Sequence, residues 1–184
     1  METYTLTVGD IQRELPVVSV SDELSIASFV ILGDTELVAY AAPLLARKLP
    51  EVDVLVTAEA KGIPLVYEIS KQLGMKHYVV ARKSIKPYME TPLMHEVVSI
   101  TTQKKQVLCL DNNDVQKIEA KRVAIIDDVI STGQSIRGLE ELVQQAGGHV
   151  VARAAILAEG NAADRDDIIY LEKLPLFRNK LPKK

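Results

Sequence analysis

Beyond residue 50, apolar residues are grouped into short and nearly continuous runs. Runs of this kind are typical of strands that are covered on both faces of a sheet. They predict strands at residues 52–58, 77–82, 106–110, 122–128 and 149–159.

Between several of these runs, apolar residues recur at the spacing of an amphipathic helix. Helices are predicted at residues 35–49, 63–73 and 134–146, with Thr35 as the N-cap of the first. Pro43 predicts a kink or a later start in that helix, because proline lacks the amide hydrogen of an interior position. Strands that alternate with helices predict an α/β fold, with a mostly parallel twisted sheet and helices on both faces.

The first 34 residues follow a different pattern. Short β-like runs at residues 3–8, 16–20 and 27–32 are separated by turn-prone polar pairs. We therefore expect residues 1–34 to form a small segment of their own, ahead of a core at residues 35–184.

A long polar stretch interrupts the core between two predicted strands. Residues 84–105 contain Pro87 and Pro92 and follow neither periodicity. A loop of about 20 residues inside a compact domain is usually functional or mobile. This stretch is therefore a candidate for a mobile loop beside a functional site.

Composition narrows the class of protein. The chain has 184 residues, of which 47% are hydrophobic, and this predicts one compact globular domain. A net charge of −3 disfavours nucleic acid as the main partner. The sequence shows no apolar run long enough to span a membrane and no signal-peptide pattern, so we expect a cytoplasmic protein. The single cysteine, Cys109, lies in an apolar run and is expected to be a buried thiol.

The candidate chemistry lies in the stretch VAIIDDVISTGQS, residues 123–135, which joins a predicted buried strand to a predicted helix. In a parallel sheet, ligands bind beyond the carboxyl ends of the strands, where Asp127 and Asp128 are placed. The helix N-terminus, with the hydroxyl groups of Ser131 and Thr132, suits a phosphate, whereas the two carboxylates suit hydroxyl groups or a divalent metal. A ribose 5-phosphate satisfies both halves. The simpler alternative is an ordinary strand-to-helix turn in which an aspartate caps the helix.

The same residues resemble a known family. The segment IIDDVISTGQS is similar to the 5-phosphoribosyl-1-pyrophosphate (PRPP) signature of the type I phosphoribosyltransferases. The segment LVTAEAKGIPLVYEI, residues 55–69, resembles the strand, pyrophosphate loop and helix of purine salvage enzymes. The segment VVARKSIKPY, residues 79–88, resembles a strand end of the adenine and xanthine enzymes. The resemblance implies the type I fold, with residues 1–34 as a small N-terminal hood.

This resemblance implies a Mg²⁺-dependent enzyme that transfers the phosphoribosyl group of PRPP to a purine base. Asp127 and Asp128 would take the ribose hydroxyls and bind Mg²⁺ directly or through water, and Arg82 and Lys83 would complete the catalytic set. The residues that the resemblance implies for PRPP binding are Ala60, Lys61, Gly62, Lys86, Ile130, Ser131, Thr132, Gly133, Gln134 and Ser135.

The identity of the base is the least specific part of the resemblance. Phe29 and Val30 of the hood are the candidate base contacts. Adenine, which would give AMP and pyrophosphate, is the expected base, because the acidic segment 159–167 suits an electron-rich dioxopurine poorly. The alternatives are a xanthine or guanine phosphoribosyltransferase, and a PRPP-binding regulatory protein without catalysis.

The resemblance also implies a homodimer and a lid. Residues 84–105 would be the lid that shields the reaction from water. Glu96 is the nearest candidate for a general acid within it, and His95 is expected to face solvent or make a transient contact.

Overall fold

The computed structural model of the protein describes residues 2–98 and 105–178. The strands are β1 (Thr3–Val8), β2 (Ile11–Ser19), β3 (Leu24–Ala27), β4 (Val54–Ala58), β5 (Val79–Ala81), β6 (Leu93–Val98), β7 (Lys105–Leu110), β8 (Arg122–Ile130), β9 (His149–Glu159), β10 (Ile169–Leu174) and β11 (Leu176–Arg178). The helices are α1 (Thr35–Lys48), α2 (Ile63–Gln72), α3 (Asn112–Ile118) and α4 (Gln134–Gln145), and a short 3₁₀ helix spans Gly160–Asp164. None of the helices in this part of the chain is long and apolar enough to cross a membrane.

Five strands form a parallel sheet in the order β10-β9-β8-β4-β5. Strand β8 lies at its centre, where residues 123–126 are fully buried, as their continuous apolar run predicts. Helices α1 and α2 pack against one face of the sheet, and α4 packs against the other, each face with its own apolar cluster. The prediction of a parallel sheet with helices on both faces is therefore confirmed.

The predicted helices form with small changes at their ends. Asp34, and not Thr35, caps α1, because its carboxylate accepts a hydrogen bond from the Leu37 amide at 3.0 Å. Pro43 lies inside α1 without ending it. Proline donates no backbone hydrogen bond, and the packing of the buried face of α1 against the core stabilises the helix in spite of this. Helix α3, capped by Asp111, was not predicted, since seven residues are too few to show a helical period.

The polar stretch at residues 84–105 is not a loop throughout. Its residues 93–98 form β6, which pairs antiparallel with β7, and residues 99–104 lie outside the described part of the chain. The predicted strand at residues 106–110 therefore belongs to this hairpin and not to the parallel sheet. Leu93 and Val97 pack against the core, but polar neighbours conceal this short alternation in the sequence. Cys109 on β7 is a fully buried free thiol, as predicted.

A second sheet, which we call the hood, has the strand order β1-β2-β3-β11. Its last strand comes from residues 176–178, far from the rest in sequence, and Phe177 contacts Tyr4 with 5.8 Å between ring centroids. The prediction of a strand at residues 27–32 is wrong beyond its first residue. Strand β3 ends at Ala27, and the chain that follows enters the main core with Phe29 buried.

Candidate active site

Asp127 and Asp128, which we call the acidic pair, lie near the carboxyl end of β8 and line a cleft of about 220 Å³. Asp128 is only 2% exposed, and its Oδ2 accepts no hydrogen bond from any group in residues 2–98 or 105–178. Oδ1 of Asp127 accepts a hydrogen bond from the Asp128 amide at 2.8 Å. Burial, reinforced by the negative charge of Asp128, raises the pKa of Asp127 to about 7. The pair thus concentrates negative charge where little water can compensate it.

The loop at residues 131–133 and the first turn of α4 border a smaller cavity of about 60 Å³. Gly133 is the N-cap of α4 and has a φ of 81°, a left-handed conformation that glycine adopts without strain. Gly133 has no side chain that could cap α4, and Oγ1 of Thr132 accepts a long hydrogen bond of 3.5 Å from the Gln134 amide. The other amides of the first turn are therefore available to an anion. Ser131, Thr132 and Ser135 border the same cavity, as a phosphate site requires.

The turn between β4 and α2 brings Ala60 and Lys61 to the wall of the cleft that the acidic pair also lines. The turn is tightly packed, because a Cβ atom at Gly62 would lie 2.1 Å from Oγ1 of Thr57. Nζ of Lys61 lies 3.5 Å from Oδ2 of Asp128 across the cleft. The residues that were implied to bind pyrophosphate and those implied to bind ribose therefore meet in one cleft.

The predicted basic residues lie beside this turn, where a carboxylate already binds two of them. Oε1 of Glu59 accepts a hydrogen bond from Nε of Arg82 at 3.1 Å and lies 3.9 Å from Nζ of Lys86. The Lys83 amide donates to Oε2 of Glu59 at 2.8 Å, and this bond, together with Arg82, lowers the pKa of Glu59. Arg82 and Lys86 thus face Glu59, whereas Lys83 lines the cleft.

The acidic pair offers carboxylate oxygens, which are ligands that Mg²⁺ prefers in proteins. Two carboxylates stand together, and no group of three or more His, Cys, Asp or Glu residues suited to a metal occurs in the described chain. Proteins usually hold Mg²⁺ through one or two carboxylates, with waters and substrate phosphates as the other ligands. Oδ2 of Asp128, which accepts no hydrogen bond and has Nζ of Lys61 3.5 Å away, would be one of the residue atoms that hold such an ion.

The β6–β7 hairpin closes one side of the cleft, which Val97 lines. Val97 packs so closely on α4 that a Cβ atom at Gly138 would lie 2.5 Å from its Cγ2. His95, which was expected to face solvent or to make a transient contact, is half-buried and contacts α4. Its Nε2 lies 2.9 Å from Oε2 of Glu141, and its Nδ1 lies 3.1 Å from Nε2 of Gln145. Both partners are on α4, so the histidine fastens the hairpin to that helix.

A larger cavity of about 660 Å³ lies between the hood and the carboxyl end of β9. Leu24 and Ile26 of the hood give it apolar walls, and Glu159 and Asn161 add polar groups. Burial raises the pKa of Glu159, and a hydrogen bond with Ser131 opposes this rise. Sequence analysis did not find this cavity, because its walls come from segments that are distant in the chain.

Four predicted site residues, Phe29, Val30, Ile130 and Gln134, line neither the cleft of the acidic pair nor the larger cavity. Phe29 is buried in the main core and Val30 is exposed, and neither lines the cavity under the hood. Ile130 borders the small cavity, but its side chain is buried in the core beside α4. Gln134 lines a separate groove that it shares with His95.

Arg165 reaches the loop at residues 131–133 from the segment after β9. Its Nη1 would lie 2.7 Å from a Cβ atom at Gly133. Asp167 accepts two hydrogen bonds from the guanidinium of Arg165, at 2.8 and 2.7 Å, and thereby fixes its orientation. The sequence of this segment is net acidic, and it gave no signal that an arginine would pack against the loop.

Comparison with known proteins agrees with this arrangement. A sequence model of the phosphoribosyl transferase domain matches residues 39–175. An adenine phosphoribosyltransferase of Thermosipho africanus is 32% identical over 143 residues, which cover 74% of this chain and 78% of that protein. A xanthine phosphoribosyltransferase of Bacillus cereus is 27% identical over 135 residues, which cover 70% of this chain and 68% of that protein.

Solved structures extend the comparison to the fold. An adenine phosphoribosyltransferase from Thermoanaerobacter pseudethanolicus superposes with a TM-score of 0.64 at 26% identity, over 78% of this chain and 84% of that one. An adenine phosphoribosyltransferase from Rhodothermus marinus gives a TM-score of 0.63 over 94% of both chains, and at 23% identity it shows the fold alone. The parallel sheet, with its helices and the antiparallel strands of the hood, is the type I phosphoribosyltransferase fold. The chain belongs to the phosphoribosyltransferase family.

Proposed function

We propose that the protein transfers the 5-phosphoribosyl group of PRPP to a purine base. The preferred base is adenine, and the products are AMP and pyrophosphate. The observation that carries the proposal is the position of the acidic pair, which lies between two candidate phosphate sites. One is the loop at residues 131–133 with α4, and the other is the turn that holds Ala60 and Lys61.

In this proposal PRPP spans the cleft. Its 5-phosphate meets the amides at the N-terminus of α4, and its pyrophosphate meets the turn at residues 60–62. Asp127 and Asp128 then accept hydrogen bonds from the ribose hydroxyls between these two ends. When bound at the acidic pair, Mg²⁺ supplies positive charge beside the ribose and the pyrophosphate.

Breaking the bond to pyrophosphate leaves positive charge on the ribose and adds negative charge to the departing group. Lys83 lines the cleft and would stabilise that negative charge as it develops. Loss of one such group typically costs ~10²–10³ in rate, by analogy with oxyanion-hole deletions. Arg82 would act through Glu59, because that carboxylate already holds its guanidinium beside the turn.

The cavity under the hood supports adenine as the base. Its apolar walls suit the faces of a flat ring, and it adjoins the loop at residues 131–133 through Ser131 and Thr132. The carboxylate of Glu159 can accept a hydrogen bond from an exocyclic amino group such as that of adenine. The same carboxylate would repel the carbonyl oxygens of xanthine. The adenine enzymes among the relatives point the same way.

One observation favours xanthine or guanine as the second candidate. Arg165 lines the same cavity, and a guanidinium can donate to the carbonyl oxygen of an oxopurine. The Bacillus cereus relative is a xanthine phosphoribosyltransferase. This candidate ranks lower, because Asp167 already accepts two hydrogen bonds from Arg165.

The test is a comparison of kcat/KM with PRPP and Mg²⁺ for adenine, guanine, hypoxanthine and xanthine. We expect adenine to lead by at least tenfold, or about 1.4 kcal/mol of transition-state binding. Glu159→Gln should reduce this preference, whereas Glu119→Gln, a change at an exposed residue that does not line the cavity, should leave it unchanged. A tenfold lead for xanthine or guanine would overturn adenine alone. PRPP binding without transfer to any of the four bases would overturn the transferase and favour a PRPP-binding regulator.

A further inference from the structure

One charged atom of the cleft stands out because it has no hydrogen bond, namely Oδ2 of Asp128. The residue is 2% exposed, so water compensates little of its charge. A buried carboxylate without a hydrogen bond or a counterion is costly, and the folded protein therefore needs a cation beside it. Within residues 2–98 and 105–178, the cation within 4 Å of Asp128 is Nζ of Lys61, at 3.5 Å.

The pairing of Lys61 with Asp128 is not the simplest one that the sequence offers. Glu59 is two residues from Lys61 and is the nearer carboxylate along the chain. Glu59 instead binds Arg82 and the Lys83 amide and lies 3.9 Å from Lys86. The charged groups near the turn therefore form two sets. Glu59 lies with Arg82 and Lys86, and Lys61 lies with the acidic pair.

The two side chains of this ion pair differ in how freely they can move. The carboxylate of Asp128 is fixed at the carboxyl end of a central strand, and its side chain is 3% exposed. The side chain of Lys61 is 51% exposed and ends a flexible stem, although its backbone sits next to the tightly packed Gly62. The ion pair can therefore open by movement of the lysine while the carboxylate stays in place.

We infer that Lys61 is a removable counterion, which neutralises Asp128 in the free protein and gives up this position when a metal arrives with a phosphorylated substrate. The inference rests on the metal site of the proposed function. A divalent cation at the acidic pair repels an ammonium held 3.5 Å from the same oxygen, so both cannot keep their places. Pyrophosphate supplies negative charge in the same cleft, to which the released ammonium can turn. The protein should therefore bind bare metal poorly and bind metal with a phosphate ligand well.

The first experiment measures binding of Mn²⁺, as a spectroscopic substitute for Mg²⁺, by electron paramagnetic resonance without PRPP. Lys61→Met should bind Mn²⁺ at least about tenfold more tightly than wild type, since it removes a like charge from the site. Lys61→Arg should behave as wild type. Lys71→Met is the matched control, because Lys71 is an exposed lysine paired with Glu68 on α2. Added inorganic pyrophosphate should increase Mn²⁺ affinity more in wild type than in Lys61→Met.

The second experiment is a double-mutant cycle of thermal unfolding without metal, in the presence of a chelator. Lys61→Met should lower Tm in the wild-type background, because Asp128 loses its counterion. The same change should have no effect in the Asp128→Asn background, where no buried charge is left to neutralise. Lys61→Gln, tested in parallel, guards against a defect specific to methionine.

Two results would overturn the inference. One is a Mn²⁺ affinity of Lys61→Met equal to that of wild type, including the case in which neither binds. The other is an additive cycle, in which Lys61→Met has the same effect on Tm with and without the Asp128 carboxylate. The cycle does not depend on catalysis. If coupling is found and no base accepts the phosphoribosyl group, the proposed function fails alone. If transfer occurs and the cycle is additive, the inference fails alone.

Discussion

At the scale of single residues, the cleft concentrates groups that folding alone disfavours. Asp127 and Asp128 are adjacent carboxylates, Asp128 is buried, and the pKa of Asp127 is raised. Such features persist when they serve a ligand, because the rest of the fold must supply the stability that they subtract. Replacing the Asp127 carboxylate should therefore raise stability. Replacing Gly133 should lower it, because its φ of 81° suits glycine and disfavours any side chain.

Asp127→Asn should stabilise the metal-free protein at about pH 8. The folded pKa of Asp127 is raised from an ordinary value of 3.8 to about 7, so between these values the folded state binds a proton that the unfolded state does not. The stability that this group gives is full below its ordinary pKa and is lost as pH rises through about 7. Thermal unfolding with a chelator should show a gain for Asp127→Asn that grows from about pH 5 to about pH 8, at roughly 2–4 °C for each kcal/mol.

The control for this prediction is Asp53→Asn. Hydrogen bonds from Arg122 lower the pKa of Asp53, so its stabilising effect is present at neutral pH and is lost as pH falls. Asp53→Asn should therefore lower Tm at about pH 8, opposite in sign to Asp127→Asn. A lower Tm for Asp127→Asn than for wild type at that pH would contradict the assigned direction.

Gly133→Ala should lose PRPP affinity as well as stability. Its backbone φ of 81° disfavours any side chain, and a Cβ atom there would lie 2.7 Å from Nη1 of Arg165, which packs against the loop at residues 131–133. Gly33→Ala is a matched control, since Gly33 has a φ of 88° and a Cβ atom there would meet no other atom within 4 Å. Both variants should lose about 1–2 kcal/mol of unfolding free energy from backbone strain. Calorimetric PRPP titration should show weaker binding for Gly133→Ala alone, and equal binding by both variants would argue against the phosphate site.

At the scale of elements, the β6–β7 hairpin is the part of the cleft most suited to movement. Its strands pair mainly with each other, and Cys109 of β7 exchanges two backbone hydrogen bonds with Arg82, the residue after β5. The outer strand β6 contacts α4 through Val97 and His95. We expect it to be the lid that the sequence placed at residues 84–105, of which residues 99–104 lie outside the described chain.

Gly138→Ala should displace this hairpin while α4 stays folded. The added Cβ would lie 2.5 Å from Cγ2 of Val97, whereas alanine favours an interior helical position by roughly 0.8–1 kcal/mol over glycine. Hydrogen exchange should show lower protection in β6 and β7 and unchanged protection in α4, with a higher KM for PRPP. The second change Val97→Ala should restore much of the protection. Unchanged protection of the hairpin in Gly138→Ala would show that it does not depend on this contact.

At the scale of the whole molecule, the hood and the parallel sheet share one apolar cluster. Leu6 and Leu15 of the hood lie in the same buried cluster as Leu37 of α1 and Leu65 of α2. Because the hood packs on the core through this cluster, the core holds the walls of the cavity under the hood in position. The homodimer that the resemblance implies would need an apolar surface to bury, and Val30, Leu32 and Tyr67 are exposed apolar or aromatic residues.

We predict that the protein pairs with a second copy of itself in solution. Sedimentation equilibrium at micromolar concentration should give about twice the chain mass of 20.3 kDa. Tyr67→Glu should weaken the pair if the exposed apolar residues form the interface, because an unpaired charge would be desolvated there. Gln116→Glu, at an exposed residue of α3, is the control for charge alone. A single species of 20.3 kDa for the wild type would contradict the prediction.

The sequence by itself determined the features that are written in consecutive residues. The apolar run of β8, the following Asp-Asp pair, the Ser-Thr-Gly loop and the start of α4 are neighbours in the chain, so local pattern was sufficient to place them. The alternation of strands and helices determined the parallel sheet in the same way, because periodicity is a property of each segment alone. Adjacent charges at a strand end were enough to predict where the chemistry would lie.

Only the tertiary structure decided which distant groups meet. It paired β11 with β3, joined β6 to β7, and set Glu59 against Arg82 while Lys61 crossed the cleft to Asp128. It also brought Arg165 to the loop at Gly133 and opened the cavity beside Glu159. None of these contacts leaves a periodic or compositional trace, because each depends on the packing of segments that are far apart in sequence. The pattern of residues therefore specified the elements and the acidic pair, and long-range packing specified the charge partners around it.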